Sequence, residues 1–294
     1  MPAARLAALL VAGVAAVAGL AAAGVHLVSE GRLRDVPAVA PFATPIPADS
    51  ASIARGEHLA RTRGCVSCHG DQLQGRDFSH DWPDAGTTVA PNLAKLARAE
   101  DAATFERALR HGIGRDGRAL WSMPAYNFRR LRDEDVAALI AFLRARPVVE
   151  IPFPEPRLSW AVRWDLAARG GTHMPEWVRE VPPLEVDPSE DSLRAEGEYL
   201  AMTACNECHG LDLRGSTDGP PDLAIVAGYT VEELTHLLRT GVARDGRSEL
   251  GLMGSVARNR YVHLRDEEVA ALHAYLGSLA GRPVPEGVFW RGAP

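Results

Sequence analysis

Apolar residues are laid out in two different ways along this chain. Residues 6–25, LAALLVAGVAAVAGLAAAGV, form 20 consecutive positions without a charge or a strongly polar side chain. As a helix rising ~1.5 Å per residue, such a run spans about 30 Å, the hydrocarbon thickness of a bilayer. Elsewhere apolar residues recur every three or four positions, the spacing that gives a helix one buried face. That pattern predicts helices over 52–62 and 192–202, after Asp101 and Thr230, and from about Asp133 and Asp266. On the helix from Asp133, Val136, Leu139, Ile140 and Leu143 make one stripe, with Phe142 beside it. Thr230-Val-Glu-Glu233 reads as a capping box, and the acidic starts at 133 and 266 suit the positive end of a helix dipole. No segment sustains strand alternation, so the fold class is all-α.

The helices come in a repeated order. GEHLARTRGCVSCHGDQLQG (56–75) is echoed by GEYLAMTACNECHGLDLRG (197–215). HGIGRDGRAL (111–120) is echoed by TGVARDGRSEL (240–250), and LRDEDVAALIAFL (131–143) by LRDEEVAALHAYL (264–276). Three collinear echoes indicate a duplicated domain. The expected units are an N-terminal segment (1–30), a Pro/Ala-rich spacer (31–48), a first domain (49–146), a strap (147–188), a second domain (189–282) and a C-terminal tail (283–294). The strap carries eight prolines, which exclude long helix from much of it, and Trp160, Trp164 and Trp177. Three large aromatics argue for an ordered strap packed on one or both domains.

The apolar run has two readings. A secretory signal has a core of about 7–15 apolar residues, shorter than this one, although Ala21-Ala22-Ala23 offers a small-residue cleavage site. The length favours a retained single-pass anchor. Arg5 is the one charge before the run and orients the C-terminal bulk outside the cytoplasm. Net charge is −6, which argues against nucleic acid as a partner. It is unevenly placed: residues 49–146 hold 15 basic and 13 acidic side chains, residues 188–282 hold 9 and 15. Such asymmetry points to different partners for the two copies.

All four cysteines lie in two copies of one pattern, Cys65-Val-Ser-Cys68-His69 and Cys205-Asn-Glu-Cys208-His209. A CxxC followed at once by histidine is the attachment signature of c-type haem. Two thiols three apart on a helical turn can each bond a vinyl group, and the next imidazole is carried under the ring to the iron. The rivals are weaker. A structural zinc site needs four ligands close together, whereas these pairs are 140 residues apart. A redox CxxC needs a βαβ context, and plain disulfides need no matching histidines.

With these motifs in view, both repeats resemble class I cytochrome c domains, over about residues 50–146 and 190–282. The whole resembles the membrane-anchored dihaem cytochromes c that serve as partners or subunits of bacterial periplasmic dehydrogenases. That resemblance implies covalent haem on Cys65, Cys68, Cys205 and Cys208, with His69 and His209 as proximal iron ligands. The distal ligands it implies are Met123, 54 residues after His69 in WSMPAYNF, and Met253, 44 residues after His209 in a Gly-rich loop, ELGLMGSV. It also implies that Pro91 and Pro221 offer carbonyls to the proximal histidines. A glycine of each first helix would pack on an aromatic of the last, Gly56 with Phe142 and Gly197 with Tyr275. His111, expected on a surface, and His263 and His273 read as structural. The arginines of RDGR (115–118, 244–247) either reach haem propionates or end a solvated turn.

No phosphate loop, dinucleotide fingerprint or nucleophile elbow is present to suggest other chemistry. The expected function is a relay of electrons on the periplasmic side of a bacterial inner membrane. It would run from a dehydrogenase or quinol-linked donor toward a terminal oxidase or soluble cytochrome, and the chain itself would not be an enzyme. The alternative is a dihaem enzyme, a peroxidase or thiosulfate-oxidising cytochrome, with an open or labile second haem at Met253. A gas sensor would need an output domain that the sequence does not display.

Overall fold

The computed structural model describes residues 3–169, 173–215 and 219–282. The expected C-terminal tail, 283–294, lies outside the described residues. Helix α1 (Ala3–Arg34) extends well past the apolar run. Leu9, Leu10, Val14 and Val17 on it are exposed, while its last turns dock onto the body of the chain. Leu33 is 1% exposed and packs with Ala119 and Leu166. The Leu33 carbonyl accepts from Ala119 N at 2.6 Å, and Glu30 pairs with Arg118 at 2.9 Å and Arg163 at 3.5 Å. The Pro/Ala stretch that follows is no free spacer, because Phe42 and Ile46 pack against the first core.

The first copy is built from α2 (Ser50–Thr62), α3 (Cys65–His69), α4 (Leu93–Ala99), α5 (Ala102–His111) and α6 (Asp133–Ala145). Asp49 and Asp101 cap α2 and α5 by accepting from Ser52 N and Thr104 N, at 2.9 and 2.6 Å. The stripe Val136, Leu139, Ile140 and Leu143 is fully buried against Leu59, Leu73, Phe105 and Leu109. α2 crosses α6 so closely that a Cβ on Gly56 would stand 2.1 Å from the Ala138 carbonyl oxygen and 2.7 Å from Phe142 Cβ.

Between them, α7 (Trp160–Trp164) runs into a π-helical turn (Asp165–Arg169), and α8 (Met174–Arg179) follows. Among the described residues, strand pairing amounts to two two-residue ladders and an isolated bridge between Ile113 and Ala119. β1 (Arg76–Asp77) pairs with β3 (Val89–Ala90), and β2 (Gly86–Thr87) with β4 (Arg157–Leu158), both antiparallel. The described residues of the strap touch both copies: Glu185 N donates to Glu198 Oε2 of the second at 2.9 Å. Asn92 Nδ2 donates to the Val149 carbonyl at 2.8 Å, Arg130 to Val181 at 2.6 Å, and Trp177 lies on Tyr126 with centroids 5.4 Å apart. Trp160 and Trp164 depart from the covered strap expected: they are 51% and 46% exposed, on a helix that packs against the end of α1. Val162 and Leu166, on the opposite face, turn inward to Leu33.

The second copy repeats the plan with α9 (Ser192–Ala204), α10 (Asn206–His209), α11 (Val231–Thr240), α12 (Gly251–Asn259) and α13 (Asp266–Ser278). The capping box forms: Thr230 N donates to Glu233 Oε2 at 2.9 Å, and Glu233 N to Thr230 Oγ1 at 3.2 Å. Here the close crossing is α9 on α13, where a Cβ on Gly197 would stand 2.0 Å from the Ala271 carbonyl oxygen.

The two copies face each other through equivalent positions. In the repeat His58 corresponds to Tyr199, and Asp135 to Glu268. His58 Nε2 bonds Glu268 Oε1 at 2.8 Å, and reciprocally the Tyr199 hydroxyl donates to Asp135. Arg63, 2% exposed, binds both members of a third pair, Thr62 at 2.9 Å and Thr203 at 3.0 Å. Such reciprocity is that of a two-fold interface, built here within one chain.

Candidate functional site

Each CxxCH lies on a single helical turn, α3 or α10, directly after the first helix of its copy. The chain after each histidine folds back in the same way. Gly75 N donates to the His69 carbonyl at 2.8 Å, and Gly215 N to that of His209 at 2.7 Å. Leu73 and Leu213 sit at φ 60° and 65°, the only described non-glycine residues at positive φ, and are fully buried. Backbone held there costs of order 1–3 kcal/mol and survives only where the surroundings over-determine it. Their carbonyls accept from Leu93 N and Leu223 N at 2.9 and 3.0 Å, which fixes the proline segments alongside.

The outcome is one geometry twice over. His69 Nδ1 bonds the Pro91 carbonyl, and His209 Nδ1 the Pro221 carbonyl, each at 2.8 Å. A carbonyl only accepts, so Nδ1 carries the proton and Nε2 keeps its lone pair. Burial pushes both imidazoles below the ordinary histidine pKa, opposed by the bond to the carbonyl, which favours the neutral ligand form. Burial also drives the thiols up, Cys65 to about 12 and Cys205 and Cys208 to about 11, so none is an activated nucleophile. All four cysteines are free. No group of three or more His, Cys, Asp or Glu is gathered to hold a metal ion among the described residues. Two thiols and one oriented neutral imidazole per copy fit haem c, and do not fit a zinc cluster.

The distal residues are placed differently in the two copies. Met123 lies in a bend before a 3-10 segment (Ala125–Phe128), and packs against the same core as Cys65 and Val66. Met253 packs against the core that holds Cys205, but the Gly-rich loop expected around it is helix α12. Gly251 and Gly254 therefore do not keep the segment loose; it ends with Arg260 N bonded to the Val256 carbonyl at 2.8 Å. The RDGR arginines are engaged locally. Besides Arg118 on Glu30, Arg115 lies 3.5 Å from Glu100, Arg247 pairs with Asp245 at 2.7 Å, and Arg244 binds the Gly228 carbonyl. His273 Nε2 bonds the Tyr229 carbonyl at 2.7 Å, and His263 is exposed at the end of a 3-10 turn (Tyr261–His263). His111 is not the plain surface residue expected, being half-buried 3.3 Å from Glu106.

A feature that motif reading missed links the two motifs. Arg260, 9% exposed, donates from Nη1 to Glu207 Oε2 of CNECH at 2.9 Å and from Nε to Ser67 Oγ of CVSCH at 3.2 Å. Its Nη2 lies 3.9 Å from Cys68 Sγ. Tyr126, three residues beyond Met123, reaches the Glu207 carbonyl at 3.5 Å. The signal was a break in the repeat: Asn127 stands where the second copy has Arg260.

Comparison with known proteins agrees with this geometry. The cytochrome c family matches residues 53–146 and again 194–280. The chain is 29% identical over 286 residues to the gluconate 2-dehydrogenase cytochrome c subunit of Pantoea cypripedii, covering 82% of this chain and 63% of that protein. It is 28% identical over 284 residues to the alcohol dehydrogenase (quinone) cytochrome c subunit of Komagataeibacter europaeus, covering 82% and 58%. To the fructose dehydrogenase cytochrome subunit of Gluconobacter japonicus it is 27% identical over 279 residues, covering 81% and 55%. The chain thus spans about three fifths of the length of the curated relatives it matches. By its two family segments, and by the CxxCH at the centre of each, this chain belongs to the cytochrome c family.

Proposed function

We propose that the chain is a two-centre electron relay, one covalent haem c per copy, that accepts electrons from a dehydrogenase partner and passes them toward a terminal acceptor. Haem, when bound, supplies a one-electron carrier. The protein's part is to hold it. Cys65 and Cys68, and Cys205 and Cys208, would anchor it covalently; His69 and His209, oriented by the carbonyls of Pro91 and Pro221, would offer Nε2 to the iron. Met123 and Met253 would supply the remaining ligands, where a soft thioether favours the reduced state. Such a ligand set leaves substrates no open position, in keeping with electron transfer and not catalysis by this chain. The observation that carries the reading is the duplicated His–Pro bond beside two CxxCH motifs, at 2.8 Å in both copies.

The partner class rests on relatives named as cytochrome subunits of gluconate, alcohol and fructose dehydrogenases. A location at the periplasmic face of the inner membrane rests on α1, whose span Arg5–Arg34 is apolar enough to cross a bilayer. It is helped by Trp160 and Trp164, exposed beside the end of that helix, since tryptophan favours the membrane–water interface.

The test is to express the chain with a c-type maturation system and count haem per chain by alkaline pyridine spectra. Two are expected, both inert to carbon monoxide and both reduced by a gluconate, alcohol or fructose dehydrogenase. One haem per chain, or no reduction by any of these dehydrogenases, overturns the relay. Carbon monoxide binding at the second copy would favour the dihaem enzyme.

A further inference from the structure

Where the two motifs meet, the interface breaks its own symmetry. His58–Glu268 and Tyr199–Asp135 are reciprocal, but Arg260 has the neutral Asn127 as its counterpart. Asn127 is fully buried, and both polar atoms of its side chain lack a partner among the described residues. At this pair of positions only the second copy therefore carries a cation. The first copy makes room for it. Arg63-Gly64 stands where the second copy has Ala204 alone, and a Cβ on Gly64 would come within 2.4 Å of Arg260 Cζ. The guanidinium fork reaches Glu207 in one motif and Ser67 and Cys68 in the other, so one planar side chain fixes both at once. Burial opposes its charge, but the Glu207 carboxylate outweighs burial and keeps it protonated.

We propose that Arg260 is the positioning residue for electron exchange between the two centres: it ties CVSCH to CNECH and makes this junction the path between them. The inference rests on the relay reading above. In the exchange, one electron leaves the centre at one motif, which is oxidised, and enters the centre at the other, which is reduced; no bond or proton changes hands. Rigid spacing is what such a step requires of the protein. The buried cation also favours the reduced state of the nearer centre, because reduction removes one positive charge beside it.

The experiment uses the full-length protein with both haems attached, in detergent. A single electron is injected by laser flash and its redistribution between the centres is followed optically, alongside a potentiometric titration. Arg260→Gln is expected to slow redistribution at least tenfold. It should also lower the potential of the centre at Cys65–His69 by about tenfold in the reduced-to-oxidised ratio, about 59 mV for one electron. Arg260→Lys keeps the charge without the fork, and should restore the potential but not the rate. If Arg260→Gln does not fold, Glu207→Gln releases the guanidinium from one motif alone and should slow redistribution severalfold. Unchanged redistribution in a folded variant carrying both haems overturns the proposal, whatever the potentials do. If the wild type exchanges electrons internally but no dehydrogenase reduces it, the relay reading fails and this inference stands.

Discussion

In the first copy His69 Nδ1 bonds Pro91 at 2.8 Å, Leu73 sits at φ 60° and Gly75 closes the turn onto the His69 carbonyl. In the second, His209, Pro221, Leu213 and Gly215 repeat each of these, at 2.8 Å and φ 65°. On the methionine side the likeness ends: Met123 lies in a bend ahead of Pro124, Met253 in a nine-residue helix. The proximal side is set by bonds within one copy, from His69 and His209 to carbonyls 22 and 12 positions on, and both copies make them. The distal side is a long loop fixed by what it packs on, and that differs between the copies.

The largest test of this contrast lies where the copies agree. Ala at position 56 or 197 would bring a methyl to 2.1 or 2.0 Å of a backbone carbonyl oxygen, which cannot rotate away. Overpacking of that kind costs about 3 kcal/mol, against ~1 kcal/mol gained in helix propensity. Gly56→Ala and Gly197→Ala should each lower the melting temperature by about 10 °C, as about 2 kcal/mol does for a unit of this size. Effects differing more than twofold between the copies would show that the crossings are not equivalent.

Next come the residues where they differ. Met123→Ala and Met253→Ala each remove a half-buried side chain, at about 2 kcal/mol, so folding should suffer similarly. Carbon monoxide reactivity separates structural from ligand loss. Each variant should open the haem of its own copy to the gas while the other stays inert. A Met253→Ala protein still inert at the second haem would mean that another group holds that iron, and the contrast between the distal sides would then be chemical as well as conformational.

What could be read from the sequence divides along the same line. CxxCH, the repeat and the helix stripes are patterns whose physics acts over a few residues, so spacing sufficed; Pro91 and Pro221, 22 and 12 positions from their histidines, followed from the family resemblance. The helical state of Gly251–Asn259 was hidden because two glycines argue for a loop, and packing of Met253 and Val256 on the second core overrode that propensity. The docking of α1 through Glu30, and the junction at Arg260, bring together residues 88 and 193 positions apart, which no periodicity reports. Their only trace was asymmetry, an Arg facing an Asn across an otherwise faithful repeat.

The interface between the copies offers a finer pair. Tyr199→Phe removes the hydroxyl from Asp135, which keeps Arg55; His58→Phe removes the imidazole from Glu268, which keeps Arg265. With the second partner left in place, each should cost about 1 kcal/mol, measured by denaturant unfolding. A much larger cost for one alone would mean that the reciprocal pairing is unequal in strength.

The smallest effect is a pH dependence that distinguishes a bond between copies from one within a copy. Glu268 faces the other copy through His58, whereas Glu106 bonds Arg110 and His111 inside the first. Burial raises both carboxyl pKa values, but the bonds outweigh it: His58, the Arg265 backbone and the Arg265 charge for Glu268, His111 and Arg110 for Glu106. Both net shifts are downward. Each carboxylate therefore adds stability that is fully present above its unfolded pKa, near 4.3, and is lost as pH falls through the lower folded value. Acidification below about pH 4 should loosen the first copy through Glu106 and the contact between copies through Glu268. In melts followed at the two haems separately, Glu106→Gln should flatten the acid dependence of the first haem's transition alone. Glu268→Gln should instead flatten the acid dependence of the coupling between the transitions, since the group it removes is shared. If Glu268→Gln altered only the second haem's transition, the His58 bond would not be what joins the two halves at neutral pH, and Tyr199 on Asp135, Arg63 on Thr203 and Arg260 on Ser67 would carry that contact.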